Sequence, residues 1–191
     1  MFIQTESTPN PLTIKFLPGR VVMESGTIFF QNKSESINSP LAEKIFLIDG
    51  IVGVFFGSDF ISITKKETHE WQVLKPLVID AITNHYDSGL ELINKDSKNI
   101  NSSESESLSN EKDTEVVKQI KELIETKVRP AVAMDGGDII YQKFEEGIVY
   151  LDMQGACSGC PSSTATLKVG IENMLKHYVP EVKEVKPINV K

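Results

Sequence analysis

The chain reads as an α+β protein of two small domains, each a mainly antiparallel sheet with helices packed on it, joined by a flexible polar linker. Three observations predict this. Short runs of β-branched and aromatic residues alternate with segments whose apolar residues recur every three or four positions. Residues 94–114 carry six serines, no aromatic residue and only Ile100 and Leu108 as large apolar side chains, too little apolar surface to offset the entropy of ordering. On either side lie roughly 90 and 75 residues, each enough for one small core. The expected division is 1–93, 94–114 and 115–191.

In the first domain, Phe2 to Thr5 and Leu12 to Leu17 read as strands around the turn-forming Thr8-Pro9-Asn10-Pro11, with a short strand near Ile28 to Phe30. Ser39 is an N-cap with Pro40 at the first helical position, Leu41, Ile45 and Ile48 keep helical spacing, and Gly50 ends the segment. Val52 to Phe56 and Phe60 to Thr64, joined by Gly57-Ser58-Asp59, form a hairpin signal. From Trp71 to His85 the apolar residues follow one helical stripe interrupted by Pro76, which either kinks the helix or marks its start. Trp71 and His85 on such a stripe are expected in the core.

In the second domain, Val116, Ile120, Leu123 and Ile124 keep helical spacing up to Pro130, where the helix is expected to stop. Asp135-Gly136-Gly137-Asp138 supplies turn residues that tolerate positive φ. Strands follow at Ile139 to Phe144 and Ile148 to Met153 around Glu145-Glu146-Gly147, then a helix opened by Pro161, and a last strand within Val182 to Ile188.

Composition excludes several classes. The formal charge of -7 comes with no dense Lys/Arg cluster, which argues against a nucleic-acid partner. No apolar run reaches the roughly 18 residues that span a bilayer, so no membrane partner is expected. The residues from Met1 to Glu6 have neither a secretion-signal nor a transit-peptide pattern, and the expected location is cytoplasmic.

The chain's two cysteines stand in Gly155-Ala156-Cys157-Ser158-Gly159-Cys160-Pro161. In a reducing compartment such a pair reads as catalytic or metal-binding rather than as a structural disulfide. Placement before a helix N-terminus is expected to favour the thiolate. Two thiols supply half of a tetrahedral thiolate site, so metal ligation needs two more from outside the chain. Three readings compete. A dithiol oxidoreductase would place the pair after an early strand of a βαβ unit, whereas a hairpin precedes it here. Zinc within one chain needs a second ligand pair, and His69, His85 and His177 lack ligand spacing. Two copies meeting at the pair collect four thiolates, for an iron-sulfur cluster or equally for one zinc.

These residues resemble a known family. Val128-Arg129-Pro130-Ala131-Val132, Asp135-Gly136-Gly137-Asp138-Ile139, the stretch Gly155 to Thr164, and Gly170-Ile171-Glu172 are similar to the NifU C-terminal domain. Met1 to Glu6, Thr8-Pro9-Asn10-Pro11, Lys15-Phe16-Leu17-Pro18-Gly19 and Val54 to Phe60 resemble the N-terminal domain of Nfu-type proteins. The resemblance implies a non-enzymatic scaffold or carrier that binds one 4Fe-4S cluster per homodimer and passes it to apo iron-sulfur proteins, with a 2Fe-2S form as the alternative. It makes Cys157 and Cys160 the ligands, and implies an upstream assembly scaffold as a further partner. The departure from the family pattern is the long serine-rich linker.

Overall fold

The computed structural model describes residues 2–94, 115–158 and 161–188, without the side chains of 161–164. The chain divides into two compact units, 1–104 and 105–191, each with sheet and helices, which makes the protein α+β as expected. The expected linker lies outside the described residues except for Asn94, whose N–H donates to the Asn38 carbonyl at 2.8 Å.

The first unit is a five-stranded antiparallel sheet in the order β1 (Gln4–Ser7), β2 (Thr13–Leu17), β5 (Ile61–Lys65), β4 (Ile51–Phe56), β3 (Ile28–Phe30). Asn10 holds the turn before β2, its side-chain oxygen accepting from Leu12 N–H at 3.0 Å. The hairpin at Gly57-Ser58-Asp59 closes through Gly57 N–H to the Phe60 carbonyl at 2.9 Å. Helices α1 (Pro40–Phe46) and α2 (Trp71–Ser88) contribute Leu41, Ile45, Leu74, Val78 and Ile82 to a core completed by Phe16, Val54, Phe56, Ile61 and Ile63 from the sheet. Ser39 caps α1, accepting from Ala42 N–H at 3.2 Å.

Helix α2 begins at Trp71 and runs through Pro76, so the proline sits inside it. A 3-10 turn at Lys33–Asn38 has no counterpart in the sequence reading; Asn32 caps it and Glu35 folds back onto Gln31 N–H at 2.7 Å.

His85 is completely buried, as expected of a core residue. Among the described residues neither of its ring nitrogens has a hydrogen-bond partner, and neither does the adjacent Tyr86 hydroxyl. Burial, with Lys44 adding a little, pushes the imidazole pKa down. The unfolded chain therefore takes a proton near pH 6.5 that the folded unit refuses, and stability is complete above that pH and lost as pH falls below it. We expect stability to fall as pH drops from 6.5 to 5, at no more than about 1.4 kcal/mol per pH unit. Denaturant melts of wild type and His85→Leu across this range check it: the variant's curve is flatter, and parallel curves would refute the assignment.

The second unit has the sheet β6 (Gly137–Glu145), β7 (Ile148–Gly155), β8 (Glu184–Ile188). The β6–β7 hairpin turns at Glu146 and Gly147, both at positive φ, the requirement of a primed turn. Strand β8 pairs with β7 in parallel, with α5 (Pro161–Tyr178) as the crossover. Along β7 every second residue is buried, and Val149, Leu151 and Met153 face Ile171, Leu175 and Val179 in one core.

Pro130 does not stop the helical run. Helix α3 (Glu115–Leu123) passes through a π turn at Ile124–Val128 into α4 (Arg129–Met134), with Pro130 in the first turn of α4. Arg129 N–H donates to the Ile124 carbonyl, and the widened turn relieves the clash a proline makes with a regular helix. The π turn also corrects phase. Ile120, Ile124, Val128 and Val132 step by four and are all buried; twelve residues of regular helix overshoot the stripe by about 120°, and absorbing one residue reduces this to about 20°.

Candidate functional site

The site grows out of two glycines facing each other. Gly137 opens β6 and is in register with Gly155, the last residue of β7. Gly136, before it, sits at φ +81 and ends α4, so the expected positive-φ turn is realised there, while Gly137 is already strand. Gly155, at φ +61, turns the chain back after β7. Ala156 N–H then donates to the Gly136 carbonyl at 3.1 Å, Cys157 N–H to Gln154 at 3.3 Å and Ser158 N–H to Gly155 at 3.1 Å. The Ser158 hydroxyl adds a bond to the Gly155 carbonyl at 2.9 Å.

This turn places Cys157 with its side chain inward. The residue is 4% exposed and belongs to the second core with Ile139, Met153 and Ile171. Its sulfur lies over the bare Cα of Gly137; a Cβ built there would stand 2.5 Å from Sγ and 2.7 Å from the Gln154 carbonyl. Burial, reinforced by the negative charges of Asp135 and Asp138, pushes the Cys157 thiol up to about 12. The expected helix-favoured thiolate is not found at Cys157: the residue precedes the first residue of α5 by four positions and its sulfur packs into an apolar core. Gly159 and Cys160 lie outside the described residues.

Beside the turn stands an ion pair the sequence reading did not identify. Arg129 at the start of α4 donates to both carboxylate oxygens of Asp138, Nε to Oδ1 at 2.9 Å and Nη2 to Oδ2 at 2.8 Å. Its Nη1 reaches Glu125 at 2.9 Å, one turn back. The Asp138 side chain is 5% exposed, and Oδ1 also accepts from Ile139 N–H at 2.8 Å. The carboxylates hold the guanidinium pKa above its ordinary value, the hydrogen bond it donates to Asp138 first among the causes. Both partners stood in the stretches that carried the family resemblance, but a separation of nine residues gave no periodic signal.

Among the described residues no three His, Cys, Asp or Glu side chains converge as a metal site. His69 pairs with Asp49 at 3.3 Å, and His177 packs edge-on against Tyr178. No described helix is long and apolar enough to cross a membrane. The donor chemistry that remains is soft sulfur, suited to iron-sulfur clusters and zinc and insufficient in number within one chain.

Comparison with known proteins locates both units. Residues 3–89 match the model described as scaffold protein Nfu/NifU N terminal, and residues 120–186 match the NifU-like domain. NifU-like protein 4, mitochondrial, of Arabidopsis thaliana is 54% identical over 97% of this chain and 65% of its own length. The NFU1 iron-sulfur cluster scaffold homolog, mitochondrial, of Homo sapiens is 47% identical over 98% of this chain and 72% of its own. The chain thus spans about two thirds of the curated relatives it matches. A solution NMR structure of a NifU-like protein from Saccharomyces cerevisiae aligns at 32% identity and TM-score 0.46, over 50% of this chain and 86% of that one.

These names overturn one expectation. The relatives are mitochondrial, and the cytoplasmic location inferred from the first residues does not stand. A targeting segment is separable from the folded domains, so the composition of residues 1–6 carries no information about compartment here.

Proposed function

We propose, because this chain belongs to the Nfu family of NifU-like proteins, that it is a carrier that holds an iron-sulfur cluster between two copies of itself and passes it to apo-proteins. The observation that carries the reading is the count of donors: two cysteines, three residues apart, in the whole chain, which is half of a four-thiolate site. Cys157 and Cys160 of each copy are the proposed ligands, and the cluster is 4Fe-4S, with 2Fe-2S as the smaller alternative. The human relative's name as a cluster scaffold homolog supports the role, and the relatives' mitochondrial names support an organellar location.

The cluster is cargo, and this chain's part is to bind and release it. Two thiolates per protomer at an interface exchange one at a time with a client's cysteines, whereas four ligands from one chain would retain the cluster. The second unit carries the pair; the first, with residues 94–114 between, is proposed to meet clients or the upstream assembly scaffold. No catalytic step is assigned. A dithiol oxidoreductase would place its pair after an early strand of a βαβ unit, whereas the β6–β7 hairpin precedes it here. Anaerobic reconstitution with iron and sulfide tests the reading. The expected product is a brown dimer that surrenders its cluster to an apo-ferredoxin; a colourless monomer with disulfide-exchange activity would favour the oxidoreductase.

A further inference from the structure

Of the stretch Gly170-Ile171-Glu172, Ile171 goes to the second core, and the proposed function leaves Glu172 without a part. Glu172 reaches from α5 to the rim of the sheet. Its Oε2 accepts from Val185 N–H at 3.0 Å, and its Oε1 from Lys176 Nζ at 2.6 Å. These two bonds, that from Lys176 first, hold the carboxyl below its ordinary pKa, so at neutral pH it is an ionised acceptor.

Strand β8 ends the sheet, with β7 on one side of it. Successive N–H groups along a strand point to opposite edges, and Glu184 N–H goes to the Gly147 carbonyl at 3.3 Å, on the β7 side. Val185 therefore points its N–H out of the sheet, in step with residues 183 and 187. Lys183 N–H is taken by the Gly147 carbonyl at 2.7 Å, and Pro187 has no N–H. Within 183–187 the outward donor left for another strand is Val185, and Glu172 holds it.

We propose that the outer edge of β8 is a surface on which a second copy of this chain can add its own β8, and that Glu172 keeps this edge closed. The register argues for a second copy as the occupant. An antiparallel pair centred on Val185 exchanges the two Val185 N–H···O=C bonds about a two-fold axis. It also sets Glu184 of each copy opposite Lys186 of the other, and both side chains are half-exposed. The proposal goes beyond the cluster reading and does not depend on it; on that reading, a closed edge leaves association of two copies to the cysteine pair.

Two measurements on the full, reduced, metal-free chain test it. Amide exchange at Val185, followed by NMR at neutral pH, is expected to quicken by about tenfold or more in Glu172→Ala. Glu172→Gln, which keeps an oxygen of the same reach, is expected to quicken it less, and the Lys186 amide, directed at β7, keeps its protection in both. Sedimentation then compares wild type with the double variant Glu172→Ala, Pro187→Val, in which the edge regains two outward donors. The double variant is expected to associate about tenfold or more tightly than wild type, and adding Lys186→Glu, which sets like charges opposite each other, to reverse the gain. An unchanged Val185 rate in a folded Glu172→Ala chain would overturn the proposal, as would a folded double variant that associates no more tightly than wild type. If the double variant does not fold, the Val185 rates decide alone. A wild-type chain that takes up no iron and sulfide would defeat the functional reading and leave these results standing.

Discussion

Replacing Cys157 with serine or with alanine is expected to reduce iron and sulfide bound after anaerobic reconstitution to less than about a tenth of the wild-type level, and to remove the cluster-dependent dimer. The reason is arithmetic as much as affinity, since one substitution in the chain removes two of four thiolates from a shared site. The two substitutions differ in what they do to the fold. Serine puts a hydroxyl where a sulfur now packs among Ile139, Met153 and Ile171, at a cost of about 1–3 kcal/mol if it finds no partner. Alanine brings no polar atom. Iron analysis beside a thermal melt separates the effects: both variants lose the cluster, and serine lowers the midpoint further. Retention of wild-type iron by the alanine variant would remove Cys157 from the ligand set.

Arg129→Met is expected to destabilise the second unit by about 2–4 kcal/mol, the range for breaking a buried pair and leaving one charge behind, moderated because the arginine side chain is 28% exposed. Asp138, at 5% side-chain exposure, would lose both guanidinium bonds, while the bond from Ile139 N–H stays. In a unit of this size the loss corresponds to a midpoint lower by about 10–20 °C. The pair also ties the start of α4 to β6 one residue beyond Gly137, so its loss loosens the strand end over which the Cys157 sulfur lies. The double variant Arg129→Met, Asp138→Leu recovers part of the stability, because no unpaired charge remains, and falls short of wild type because Ile139 N–H loses its acceptor. A single variant melting within a degree of wild type would show that the contact is not structural.

What the sequence made legible follows from short-range physics. The strand from Ile148, the turn around Glu145-Glu146-Gly147, the Ser39 cap and the hairpin at Gly57 each rest on a few neighbouring residues, and the structure realises them, with the turn narrowed to Glu146 and Gly147. The resemblance around Cys157 and Cys160 gave the family. Three features were hidden for one reason: they depend on partners distant in sequence or on backbone that periodicity does not report. Pro130 reads as a stop until the π turn is seen to accommodate it and to keep Val132 on the stripe of Ile120. Arg129 and Asp138 meet across a turn that no helical or strand spacing predicts. Cys157 looked primed by the following helix, and the glycine pair Gly137 and Gly155 instead lets its sulfur fold back into the core. The expected cytoplasmic location failed differently: it was drawn from Met1 to Glu6, where Ile3 and Gln4 to Glu6 serve the first unit's core and β1, and such composition does not report a compartment.

The central claim is that two copies of this chain share one cluster through Cys157 and Cys160. Native mass spectrometry of the anaerobically reconstituted full chain tests it most directly. The account predicts a species of two chains with four irons and four sulfides, converting to metal-free chains when an apo-protein acceptor is added. A single chain holding the whole cluster, or a dimer holding one zinc under the same loading, would contradict it.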